Sequence, residues 1–162
     1  MTGPGTLIRR LAAQMRAPDQ PAGGFDQRPV GDDAIAALLG AARVAPSADN
    51  AQTWRFITIT GAEKKAALKE SVPEALRRDL DNAPLVAVAC GMAGLFKSTK
   101  REQPFVLIDV PIAIAHILLQ AAEIGLACSW TLECDESKVR SALSIPGDAR
   151  VIAILCLGWP AV

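Results

Sequence analysis

The chain has 162 residues, enough for one domain with a well-buried core and too few for two independent ones. It is 51% hydrophobic and 21% charged, with 17 basic against 17 acidic residues, so no net field draws it to nucleic acid or to an anionic membrane. Cys90, Cys128, Cys134 and Cys156 stand singly, without the close pairs of a zinc or thioredoxin-type site, and are expected as free thiols.

Residues 1–30 are expected as an irregular N-terminal arm, helical over 6–16 and then broken by the Pro/Gly-rich stretch PDQPAGGFDQRP. The arm has no continuous apolar stretch of the kind that marks a signal peptide, which gives a cytoplasmic address by default. Asp32 or Asp33 then caps a helix whose apolar residues Ile35, Leu38, Leu39 and Ala42 recur at helical spacing, bounded by Pro46. Residues 53–60 alternate Trp54, Phe56 or Ile57, and Ile59 with threonines, as a strand does, and Gly61 ends them.

Residues 62–71 and 73–81 form two short charged helices, and 85–90 is an all-apolar run of strand length. A polar loop over 91–104 carries Lys97, Lys100 and Arg101. The long helix 106–124 stops at Gly125; Asp109, Pro111, His116, Gln120 and Glu123 interrupt its apolar residues, which marks a buried amphipathic helix and not a membrane span. Strand 127–132, a helix over 136–143 capped by Asp135, a Pro146-Gly147 turn and strand 150–158 complete the chain. Four strands separated by helices give a single α/β or α+β layered domain over 1–162. His116, the one histidine, lies mid-helix among apolar residues and is expected as a packed or interface side chain, so no multi-histidine metal site forms.

Between the first capped helix and the first strand runs Ala45-Pro-Ser-Ala-Asp-Asn-Ala-Gln-Thr-Trp-Arg-Phe56, dense in amides and hydroxyls. Uncharged donors of this kind suit a ligand rich in carbonyls and ring nitrogens, because each edge atom is paired without desolvating a charge. An Asx-rich helix-to-strand turn would use the same residues.

This stretch resembles the nitroreductase signature APS-x-x-N-x-Q-P-W-x-F, with Thr53 in place of the family proline. The likeness continues through 107–126, similar to the family's long dimer-core helix, and through Cys128-Ser-Trp130, Asp135-Glu136, Val139-Arg140, Ile145-Pro146 and Leu157-Gly-Trp-Pro160. It implies an α+β nitroreductase-like fold, with a central mixed, mostly antiparallel sheet of four or five strands flanked by helices. It also implies a homodimer through the 106–124 helix, FMN at the interface, and transfer of reducing equivalents from NAD(P)H to a nitroaromatic, quinone or similar small acceptor. Pro46, Ser47, Asn50 and Gln52 would then meet the flavin, and Trp130, Thr131, Leu132 and Glu133 would run past its N5 side. No protein acid, base or nucleophile is obligatory, since the flavin carries the chemistry.

The resemblance breaks at the phosphate end. Family members place arginines just before the element seen here as Phe25 to Val30, where they hold the FMN phosphate by charge-assisted hydrogen bonds. This chain has Asp19-Gln-Pro-Ala-Gly-Gly24 there, and Val162 follows too soon after Pro160 for the family's C-terminal basic residue. Arg9, Arg10, Arg16, Lys97, Lys100 and Arg101 are the substitutes to consider. Two alternatives to a flavin enzyme follow: a degenerate subunit that keeps the fold as a binding or assembly partner, or an enzyme completed by a second polypeptide.

Overall fold

Five strands form one sheet with helices on both faces in the computed structural model, which describes residues 24–92 and 104–161 together with Arg9 and the backbone of Met15–Arg16. In chain order the elements are β1 (Met15–Arg16), α1 (Asp32–Arg43), β2 (Trp54–Ile59), α2 (Ala62–Leu68), α3 (Glu74–Asn82), β3 (Leu85–Met92), α4 (Val106–Ile124), β4 (Ala127–Thr131), α5 (Glu136–Leu143) and β5 (Ala149–Gly158). The strands lie in the order β1-β4-β5-β3-β2, all neighbours antiparallel except β1 beside β4. This is the mixed, mostly antiparallel α+β sheet that the resemblance implied.

Strand periodicity divides the core in two, because successive side chains leave opposite faces of the sheet. Leu85, Ala87 and Ala89 of β3 and Leu155 and Leu157 of β5 pack under α1 and α4. Val86, Val88 and Cys90, with Ile154 and Cys156, pack under α2, α3 and α5. Both faces being covered, the choice between Phe56 and Ile57 dissolves: Trp54 and Phe56 face the first layer, Ile57 and Ile59 the second. A one-residue slip between Ala89 and Cys90, where β5 passes from Ala153 to Val151, keeps both layers apolar along its length.

Helix α4 can lie against β3 because Gly91 has no side chain; a Cβ there would stand 1.8 Å from Val106 Cγ2. Gly125 ends the helix in the left-handed conformation (φ 85°), its N–H returned to the carbonyls of Ala121 and Ala122. The expected Asp135 cap is present, accepting the Lys138 N–H.

Several expectations need correction. Met15–Arg16 is not the end of a helix but a strand, with Met15 opposite Cys128 and Arg16 opposite Ser129; the open edge of β4 supplies partners that no local pattern announces. Residues 6–8 and 10–14 of that predicted helix lie outside the described residues, as do 1–5, 17–23 and 93–103. The Pro/Gly-rich arm regains regular pairing at Phe25, which bridges Pro160, while Asp26 donates its N–H to the Trp159 carbonyl. Gly31, not Asp32 or Asp33, is the N-cap of α1; the two acids sit in its first turn, where they face the positive end of the helix dipole. Strand β3 runs on to Met92, and β4 stops at Thr131, before Leu132.

Candidate functional site

The chain leaves α1 at Arg43 and crosses to β2 through a loop that is unusually constrained. Asp49, Asn50 and Gln52 hold left-handed backbone (φ 49°, 55° and 46°), three of the four non-glycine residues with positive φ among the described residues. Asn and Asp adopt this region readily, whereas for Gln it costs on the order of 1 kcal/mol. Such a path persists only where hydrogen bonds over-determine it.

Those bonds are present. Ser47 Oγ accepts the Gln52 N–H at 3.0 Å, closing the loop across its neck. The Asn50 N–H reaches the Ser47 carbonyl and the Ala51 N–H the Ala48 carbonyl, forming the 3-10 turn Ala48–Asn50. Gln52 Nε2 donates to the Arg43 carbonyl at 3.0 Å and to Asn50 Oδ1 at 3.3 Å. From outside the loop, Asp109 of α4 accepts the Ala48 N–H through both carboxylate oxygens, at 3.2 and 3.3 Å.

The loop thus uses Ser47 Oγ and Asn50 Oδ1 as internal acceptors and keeps their donors in hand. The Ser47 hydroxyl proton and the Asn50 amide NH2 remain to be offered, Ser47 half-buried and Asn50 exposed. Gln52 is different. Its amide clasps the loop from behind, and it lines a cavity of about 400 Å3 with Leu39, Arg43, Trp54, Arg55 and Phe56. Pro46 and Ser47 instead border a mainly apolar hollow of about 280 Å3 against Phe105, Ile108, Asp109 and Ile112.

The second candidate segment follows β4. Trp130 is half-buried, Thr131 buried, and Leu132 and Glu133 exposed, Leu132 at 61%. Thr131 Oγ1 accepts the Glu133 N–H at 3.0 Å and donates to the Glu133 carbonyl, so the Glu133 amide is already engaged. Because β4 runs opposite to β2, the end of β4 and the start of β2 lie at the same end of the sheet. Thr131 stands in line with Ile154, Val88 and Ile57, three strand spacings or about 14 Å from the β2 edge. Within one chain the two segments do not converge.

The outward face of α4 is apolar: Leu107, Ile108 and Leu119 are 46%, 42% and 36% exposed, with Ala115 exposed and Ile112 half-buried between them. Ala122 is buried, and Ile114, Ile117 and Leu118 pack into the core on the sheet side. The helix is long and apolar enough to cross a membrane by length and composition, with a mean hydropathy of 1.7. It nonetheless contributes nine buried residues to its own domain, Asp109 among them.

At the arm, Arg28 is committed: its guanidinium lies 4.2 Å from the Trp159 ring centre, and its Nε is 3.8 Å from Asp26. Arg9 is exposed, Arg16 is placed only by the register of its backbone, and Arg10, Lys97, Lys100 and Arg101 lie outside the described residues. Burial pushes the Cys90 thiol up to about 11 and raises those of Cys128, Cys156 and Cys134. At neutral pH they stay protonated and weakly nucleophilic. Among the described residues no group of His, Cys, Asp and Glu is arranged to hold a metal.

Fold and loop together define an α+β domain, a sheet covered by helices on both faces, that presents a rigid, donor-rich loop beside an apolar helix face. The nitroreductase family model matches residues 24–83 and 73–159. The 5,6-dimethylbenzimidazole synthase of Rhodospirillum rubrum is 32% identical over 162 residues, covering 84% of this chain and 75% of that protein. A nitroreductase family protein from Clostridium novyi NT superposes with a TM-score of 0.85 at 25% identity, over 94% of this chain and 84% of its own. An FMN-dependent nitroreductase from Clostridium difficile R20291, 24% identical, shares the fold with a TM-score of 0.77 over 95% of this chain and 88% of its own. The chain belongs to the nitroreductase family, and it is an oxidoreductase of that family.

Sequence reasoning passed over Asp109, which it counted only as an interruption of an apolar run. A lone acid between Val106 and Ala122 was the available signal.

Proposed function

We propose that the chain is an FMN-dependent oxidoreductase that works as a homodimer, taking reducing equivalents from NAD(P)H and passing them to a small electrophilic acceptor such as a nitroaromatic or a quinone. The observation that carries this reading is the 46–52 loop, which is held rigid from within and still offers the Ser47 hydroxyl and the Asn50 amide. These donors fit the carbonyl and ring-nitrogen edge of an isoalloxazine, and the apolar border of Pro46, Ile108 and Ile112 fits its hydrocarbon part. Bound FMN would supply the hydride chemistry, and the protein position and exclusion of water.

Ser47 and Asn50 would orient the ring and Gln52 would support them from behind. Trp130, Thr131, Leu132 and Glu133 would approach from the other subunit, with the Thr131–Glu133 turn fixing the backbone and Leu132 covering the ring from water. The distance between the two segments within one chain favours a site shared between subunits. The exposed stripe of α4 supplies the self-complementary apolar patch that a two-fold dimer needs.

A second reading, a family member with weak or no flavin binding acting as an assembly partner, is favoured by Asp19-Gln-Pro-Ala-Gly-Gly24 in place of the phosphate arginines and by the commitment of Arg28 to Trp159. The absorbance spectrum of purified protein, before and after FMN is added, separates the two. Saturable flavin absorbance with NAD(P)H oxidation by the chain alone supports the enzyme; colourless protein that takes up no FMN supports the second reading. Activity only with a second polypeptide would mark an incomplete site. Accumulation of 5,6-dimethylbenzimidazole, in place of acceptor reduction, would align the chain with its Rhodospirillum rubrum relative.

A further inference from the structure

We infer that Asp109 is the positioning residue of the 46–52 loop: its buried carboxylate grips the Ala48 N–H and thereby sets where Ser47 and Asn50 point. The role rests on the flavin reading above for its consequence, but not for its geometry.

Asp109 is 3% exposed, in the first turn of α4, and among the described residues it forms no ion pair. A carboxylate withdrawn from water without a counter-ion is costly, and an apolar side chain of similar size would fill the space without that cost. The helix N-terminus offsets part of the cost. Among the described residues the carboxylate's polar partner is the Ala48 N–H, about equidistant from both oxygens at 3.2 and 3.3 Å and 61 residues away in the chain.

Ala48 is the point at which a hold has most leverage. It opens the 3-10 turn whose last residue is Asn50, and it follows Ser47, whose hydroxyl closes the loop neck on Gln52. Fixing its N–H fixes the direction of the turn and the extended backbone of Ser47 (φ −142°, ψ 159°) at once. The three left-handed residues that follow have every reason to relax if that anchor is lost. Asp109 itself need not touch a ligand; it acts through Ala48.

Two substitutions break the bond from opposite ends. Asp109→Asn keeps the shape but turns one of the two accepting oxygens into an NH2 group that faces the N–H. Ala48→Pro removes the donor from the loop side; proline is tolerated at the first position of a helical turn, and the extended backbone of Ser47 suits the residue before it. Hydrogen exchange read amide by amide should show Asn50, Ala51 and Gln52 exchanging about tenfold faster in both variants, with β3 and β5 unchanged. FMN affinity should fall by about tenfold in each, and adding Ser47→Ala to Asp109→Asn should lower it less than the two separate losses combined.

The inference is overturned if the loop amides keep their rates in Ala48→Pro, or if Asp109→Asn speeds exchange evenly through β3 and β5, as a merely structural acid would. Wild-type protein that binds no FMN would refute the flavin reading alone, since the exchange rates still decide the role of Asp109.

Discussion

The two ends of the proposed flavin site differ in how they are built. At the ring end, the 46–52 loop is tied by bonds from Ser47, Gln52 and Asp109, and its left-handed residues are affordable only because of them. At the phosphate end, Asp19 to Gly24 replace the family arginines, and Arg28 is stacked on Trp159. On the proposed reading, the contrast teaches that a fold would keep the part of a ligand site woven into its own hydrogen bonds while the part made of surface charges changes freely. Removing Ser47 or Asp109 loosens the chain itself, whereas replacing an exposed arginine costs little without ligand.

The largest effect should come from a change that undoes both ends. Leu119→Arg places a charge on the exposed stripe of α4 that the proposed homodimer would bury. The protein should run as a monomer on size exclusion, with FMN affinity down by about 100-fold or more. A Leu119→Arg protein that stays dimeric and yellow would move the subunit contact elsewhere.

Asn50→Ala should come next. It removes a ring-end donor, so FMN and riboflavin affinities should fall together by about tenfold in parallel titrations. A loss confined to FMN would mean that Asn50 serves the phosphate. Arg16→Ala probes the opposite end, since Arg16, whose backbone β1 sets opposite Ser129, is one of the candidate substitutes for the missing phosphate arginines. The change in FMN affinity should stay under about tenfold; a drop of about 100-fold would make Arg16 the replacement for the missing arginines.

Smallest of all should be Cys134→Ser. Burial and the neighbouring Glu136 and Asp135 carboxylates raise this thiol, so it is protonated at neutral pH, and its labelling by thiol reagents should speed up only as pH climbs toward the raised value. Turnover of the variant should match wild type.

The helices and inner strands were legible because their signals are local. Periodic apolar residues in α1, the all-apolar run of β3 and the Asp135 cap each depend on neighbours within a few positions. Strand β1 was not legible, since its partner lies more than a hundred residues away and two residues carry no periodicity. The candidate loop was found by its motif, yet the sequence could not say which polar groups face inward. Gln52, expected to meet the flavin, also clasps the loop, and in the segment expected along the N5 side the Glu133 N–H is engaged by Thr131. Asp109 was missed for the same reason: a buried acid and a solvated one are spelled alike.

The most direct test of a ring end kept and a phosphate end changed is the ratio of the dissociation constants for riboflavin and FMN, measured on the same purified protein. Binding borne by the loop predicts that both flavins bind, with riboflavin within about tenfold of FMN. FMN bound hundreds of times more tightly than riboflavin, or neither flavin bound at all, would contradict the account.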